Sequence, residues 1–249
     1  MFNTGLVSIS FRSLPAERII ALAHECGLSA IEWGSDVHAP FCNPERLKVI
    51  KAEMDRFGLY TSSYGTYFRI GENSTNELYD YISAASILGT KTLRLWCGRK
   101  NYGDMSEPER RIIIEESKAA ARIAESSGVR FCLECHNKTF TNCLDGALDV
   151  MKSVSSEAFR MYWQPSHLTD EQTNLEYAKA IASYTVNIHV FNHTENEKHP
   201  LSAGIHKWQK YLSFFDGSQH LLLEFMPDNS PDSLRDEAKT LSDLVKNKI

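Results

Sequence analysis

The chain lacks any run that approaches the roughly 18 apolar residues of a membrane-spanning helix. It has no basic arm and no block of like charges. Its 27 Lys and Arg and 32 Asp and Glu are mixed along the chain, for a formal net charge of −5. That balance argues against a protein built to grip a phosphate backbone. The opening MFNTGLVSIS has no basic segment leading into a long apolar one, so it does not read as a secretory signal. No glycine-rich Gly-x-Gly-x-x-Gly follows the first strand-like run, which disfavours a dinucleotide-binding open sheet. Low-complexity segments and linkers are also missing, so one domain over residues 1–249 is expected.

Cysteine is sparse: Cys26, Cys42, Cys97, Cys132, Cys135 and Cys143 are all there are. Most fall in strand-like or helical segments, which suits a reduced, cytoplasmic setting better than a disulfide scaffold. Cys132 and Cys135 have the spacing of a redox or zinc pair. Three positions apart on one strand, however, they point to opposite faces.

What is present is a regular alternation of two textures. Short β-rich runs occur at 5–10, 30–34, 59–66, 91–98, 129–136, 159–166, 185–192 and 220–225. Between them lie segments with helical spacing of apolar residues, at 15–26, 43–57, 74–88, 107–127, 142–154, 170–184, 203–215 and 230–247. Gly27, Gly58, Gly89 and Gly128 each stand between a helical segment and the next strand, where a left-handed C-cap carries no Cβ penalty. Eight strand–helix units in 249 residues predict a single-domain α/β fold, the (β/α)8 TIM barrel.

Barrels of this kind place their chemistry at the C-terminal ends of the strands. The strand ends here carry Glu32, Trp33, Tyr64, Arg94, Trp96, Glu134, His136, Gln164, His167, His189 and Glu224. Polar residues at strand ends need no special account, since strand ends meet water. Glu224 does, because Leu221–Leu223 and Phe225 enclose it, and so does His189 between Ile188 and Val190. A lone histidine there is ordinarily a core residue. Together with Glu134, the fifth-strand acid of RFCLECHN, the three point to a metal site. Carboxylates and an imidazole suit Mn²⁺, Mg²⁺, Zn²⁺ or Co²⁺ without any thiolate.

On these residues, and on the opening ISFRSLPAERIIALAHECGLSAIEWGSDVH, the whole chain resembles the xylose-isomerase-like barrel superfamily, in its sugar isomerase/epimerase branch. The resemblance implies one divalent metal held by Glu, Asp, His and Glu on strands five to eight. Carried over, these are Glu134, Gln164, His189 and Glu224, with Gln164 departing from the Asp of the family motif Asp-x-x-His. The His of that motif falls on His167. The family's Arg shortly after the seventh-strand His is missing from HVFNHTENEKHPL. Catalysis through an enediolate is then expected, with Glu134 and Glu224 moving the proton and His167 holding the oxyanion. Trp33, Tyr64 and Trp96 would wall the substrate, and Glu32, Arg94 and Lys138 would bond its hydroxyls. His38 and His136 are further candidates.

The expected ligand is a small carbohydrate, unphosphorylated for want of a phosphate cradle, or a sugar-derived acid. Neither nucleic acid nor membrane is an expected partner, and apolar helix faces could support a homodimer. The competing readings are a lyase with the same metal site, an endonuclease-IV-like nuclease with three zinc ions, and a sugar-binding barrel without catalysis.

Overall fold

Gly27, Gly58, Gly89 and Gly128 all adopt positive φ, between 65° and 79°, in the computed structural model of the chain, which describes residues 1–246. Each lies at the exit of a helix, where the backbone must turn back towards the barrel. The helix starts are equally legible. The Asn43 side chain accepts from the Arg46 N–H at 3.1 Å, with Pro44 as first helical residue. Ser106 and Glu109 form a capping box, and Asp170 caps the Thr173 N–H at 2.7 Å.

The first half of the chain runs β1 (Asn3–Val7), α1 (Ala16–Glu25), β2 (Ala30–Gly34), α2 (Pro44–Arg56), β3 (Tyr60–Ile70), α3 (Leu78–Leu88), β4 (Thr92–Cys97) and α4 (Glu107–Ser127). The second half repeats the pattern with β5 (Arg130–Glu134), α5 (Leu144–Val154), β6 (Phe159–Trp163), α6 (Glu171–Ile181), β7 (Thr185–Val190), α7 (Ile205–Leu212), β8 (His220–Leu223) and α8 (Leu234–Lys246). All eight strands are parallel and close into a barrel in sequence order, β8 pairing with β1. This is the TIM barrel expected from the repeat. No helix among the described residues is long and apolar enough to cross a membrane.

The strands from β5 to β8 each end two or three residues before the expected run does, and two other boundaries shape the barrel mouth. β1 stops at Val7, and Ser8–Phe11 turn into a 3-10 helix that carries Ser10 and Arg12 over the barrel mouth. β3 runs on to Ile70, beyond the expected end, and lifts Tyr67 and Arg69 above the rim. The expected last helical residue, Asn247, lies outside the described residues.

Most buried hydrocarbon lies in the layer between barrel and helices. Inside the barrel the apolar content shrinks to a small cluster of Val7, Ile9 and Leu222. Much of the remaining interior is polar. The strand alternation that points Glu32, Ser63, Arg94, Asn187 and His189 inward leaves room for one hydrogen-bonded file along the axis.

That file starts at the N-terminal end of the barrel. Tyr60 Oη lies 3.0 Å from His220 Nε2, and His220 Nδ1 lies 3.0 Å from Asn187 Oδ1. Asn187 Nδ2 donates to Tyr162 Oη at 2.7 Å and to Ser63 Oγ at 3.2 Å. Ser63 in turn donates to Glu32 Oε2 at 2.9 Å. With Nδ1 of His220 as its donor nitrogen, every link points the same way, towards the Glu32 carboxylate.

Candidate metal centre and pocket

Glu134, His189 and Glu224 bring one ligand atom each to within 4.8 Å of one another, and all three are buried. They come from β5, β7 and the residue just after β8. Among the described residues this is the one cluster of that kind. Nδ1 of His189 is the common point: it lies 3.4 Å from Glu224 Oε2 and 3.6 Å from Glu134 Oε1. Gln164, just past β6, adds its Oε1 at 3.1 Å from the same nitrogen. Its Nε2 donates to the Cys135 carbonyl at 3.0 Å and to Glu134 Oε1 at 3.2 Å, which turns the amide oxygen towards the cluster.

The two ligand acids are held differently. Glu134 Oε2 accepts from Arg94 Nη1 and from the indole N–H of Trp96, leaving Oε1 to face His189. Glu224 has no comparable donor among the described residues. Behind them, Glu32 Oε1 accepts from Arg94 Nε at 3.0 Å, and its Oε2 lies 3.5 Å from His189 Nε2. Gly65 makes this pair fit, because a Cβ there would sit 2.8 Å from Arg94 Nη2 and 3.0 Å from Glu32 Oε1.

Burial penalises every charge in this group, and the partners decide the outcome. For Glu32 and Glu134, burial opposes ionisation, but Arg94 and His189 outweigh it and hold both below the ordinary carboxylate range. Glu224 goes the other way: burial raises it, and the Glu134 charge adds to the effect against the pull of His189. Burial also opposes charge on His189, yet Glu224, Glu32 and Glu134 push it up to about 10. Charge on Glu32 and Glu134 is thus met by Arg94 and by His189, whose Nε2 faces Glu32 and whose Nδ1 faces Glu134 and Glu224. Two carboxylate oxygens, an imidazole nitrogen freed of its proton and an amide oxygen suit a hard or borderline divalent cation.

The cluster forms the floor of a cavity of about 370 Å³. Trp96, His136, Gln164 and His167 line it, as the strand-end reading expects. The His136 ring stacks on Trp96 with centroids 5.2 Å apart. His167 is exposed at the mouth, in the loop after β6. Arg94 reaches the cavity, whereas Glu32 lies wholly buried beneath it.

Four expected substrate contacts, Glu32, Trp33, Tyr64 and Lys138, do not line the cavity, Glu32 because it pairs with Arg94 below it. Trp33 follows the inward Glu32, so it faces outward; it is fully buried, with Nε1 2.9 Å from Met54 Sδ in α2. Tyr64 follows the inward Ser63 and likewise points out, donating to the Ala39 carbonyl at 2.6 Å. Lys138 belongs to a turn, with φ 57° and its N–H on Asn101 and Asn137, and its side chain does not line the cavity. His38 sits behind β2, Nδ1 3.2 Å from Ser8 Oγ. Cys132 and Cys135 are free and buried on opposite faces.

Sequence reasoning missed Arg12, Tyr67, His193 and Phe225, all of which line the cavity. Arg12 bonds Asp36 and donates to Tyr67 Oη at 2.6 Å, joining the connections after β1 and β2 to the upper part of β3. Tyr67 continues the inward series of Ser63 and Gly65 by two, a signal present in the sequence once the strand is allowed to run past Thr66.

The family described as xylose isomerase-like TIM barrel matches residues 20–244. No curated protein matches the sequence. Solved structures do. The probable 3-DHS dehydratase AsbF of petrobactin synthesis from Bacillus anthracis has a TM-score of 0.83 at 18% identity, over 97% of this chain and 99% of that one. D-psicose 3-epimerase from Clostridium cellulolyticum H10, solved with D-tagatose, gives 0.75 at 12%, over 99% and 98%. A xylose isomerase-like TIM barrel protein from Mycobacterium smegmatis in complex with magnesium gives 0.73 at 13%, over 100% and 98%. At such identities the likeness is one of fold.

Proposed function

Because the chain belongs to the xylose isomerase-like TIM barrel family, we propose that it is a divalent-metal-dependent isomerase or epimerase of a ketose, keto acid or related sugar. The observation that carries this reading is the convergence of Glu134, Glu224 and Gln164 oxygens on His189 Nδ1 at the floor of the cavity. An epimerase and a magnesium complex among the similar folds support it.

A bound divalent cation supplies Lewis acidity, polarising a substrate carbonyl and acidifying the neighbouring C–H. The chain supplies the rest. Glu134 and Glu224 face the substrate from β5 and β8, so one takes the proton to leave an enediolate and the other returns it, to another face or carbon. Arg94 and Trp96 hold Glu134 in one orientation while this happens. His167 donates from the mouth to the developing oxyanion, and the stacked Trp96–His136 pair offers an apolar wall to sugar C–H groups.

Elemental analysis of the purified protein should find about one divalent metal per chain, and a screen of ketoses and keto acids with that metal should find turnover. Glu134→Gln and Glu224→Gln should each abolish it and leave the fold intact. Full activity in both variants would sink the mechanism. One cluster supports one cation, against the three of the nuclease reading.

A lyase shares the enediolate, and the similarity to a dehydratase favours keeping it as the second reading. Product mass separates the two, since only isomerisation conserves it.

A further inference from the structure

Glu224 reaches the cluster without the hydrogen bonds that hold Glu134, so its direction is set by its backbone. The last ladder bond of β8 runs from the Glu224 N–H to the Val190 carbonyl at 3.1 Å. The next residue, Phe225, has φ 52°, a left-handed conformation that crowds any residue with a Cβ. Such a conformation persists only where the surroundings impose it. Here both backbone polar groups of Phe225 are gripped by side chains. Its N–H donates to Ser10 Oγ at 2.9 Å, and its carbonyl lies 3.1 Å from His193 Nε2.

The two side chains come from the connections that follow β1 and β7, the strands on either side of β8. Each is itself fixed. Ser10 belongs to the 3-10 helix after β1. The His193 ring stacks on Phe191 with centroids 4.5 Å apart and planes 20° apart, and its backbone bridges to Lys198. The left-handed turn ends the strand abruptly, with Glu224 directed to His189 and Phe225 laid along the cavity wall.

We infer that Ser10 and His193 are positioning residues that clamp the Phe225 peptide groups in the left-handed turn and thereby aim the Glu224 carboxylate. The inference rests on the proposed metal site.

The test is calorimetric titration with Mn²⁺ of the wild type, Ser10→Ala, His193→Phe and Ser10→Ala/Phe225→Gly, all well below their unfolding temperatures. His193→Phe keeps an aromatic ring on Phe191 and removes the donor. Ser10→Ala and His193→Phe should weaken Mn²⁺ binding by roughly 10- to 100-fold, the usual effect of losing a group that orients a ligand. Glycine at 225 takes the turn without a clamp, so the double variant should recover much of the affinity lost by Ser10→Ala. A merely structural role would lower thermal stability and leave the affinity and its rescue unmoved. Wild-type affinity in both single variants overturns the inference.

A wild type that binds no Mn²⁺ would count against the metal site instead. A crystal structure of Ser10→Ala/His193→Phe then decides the clamp by itself. Glu224 displaced from His189 supports it, and Glu224 in place refutes it.

Discussion

Arg94 donates through Nε to Glu32 Oε1 at 3.0 Å, and both side chains are cut off from water inside the barrel. The other arm of the same guanidinium reaches Glu134. One planar, permanently charged group thus serves two acids on two strands, which a point charge cannot do.

Arg94→Met should leave two enclosed carboxylates uncompensated. Removing one partner of a buried ion pair costs about 3–5 kcal/mol, and denaturant unfolding should show a loss of that order. Arg94→Lys should recover only part of it. Gly65→Ala should act on the same pair through steric pressure, costing about 1–3 kcal/mol as an overpacked core does. A wild-type unfolding midpoint for Gly65→Ala would mean that the pair has slack the distances do not show.

Gln164→Asp should tighten Mn²⁺ binding, because an anion replaces a neutral amide oxygen beside His189. Without metal the same variant should be less stable than the wild type. Asp offers no N–H to Glu134 or to the Cys135 carbonyl, and it adds a fourth carboxylate to the group. Paired titration calorimetry and thermal unfolding check both signs.

Trp33→Phe and Trp96→Phe should separate packing from recognition. Trp33 is sealed between β2 and α2, so its loss should lower stability and leave KM unchanged. Trp96 lines the cavity and holds Glu134, so its loss should change KM and kcat. Kinetics on whichever ketose or keto acid the screen identifies would reverse these assignments if Trp33→Phe raised KM.

Burial lowers the pKa of His193 to about 4, partly offset by its bond to the Phe225 carbonyl. The folded protein therefore takes up this proton less readily than the unfolded chain. The stability that His193 contributes is complete above about 6.5 and declines as pH falls from there to about 4. His193→Phe should flatten the unfolding midpoint across that window, and an unchanged slope would assign the acid limb to other groups.

The barrel was legible because its signals are local. Helix-capping glycines, Asn43 and Asp170 at helix starts and the apolar spacing of each segment need no knowledge of the rest of the chain. Glu134, His189 and Glu224 stood out because an apolar run makes a buried polar residue conspicuous. Trp33 and Tyr64 were misplaced for an equally local reason. Nearness to a strand end was weighed above parity, although Glu32 inward dictates Trp33 outward. Arg12 and His193 act in the connections after β1 and β7, where position depends on contacts from other strands. Nothing in FRSLP announces that Arg12 will meet Asp36 and Tyr67.

The file from Tyr60 to Glu32 joins the N-terminal end of the barrel to the acid behind His189. Its polarity is pinned at Asn187, because an amide oxygen only accepts and an amide nitrogen only donates. A substitution that removes the His220 donor would strand Asn187 Oδ1 inside the barrel, so a change at the far rim is felt as lost stability of the interior that carries Glu32.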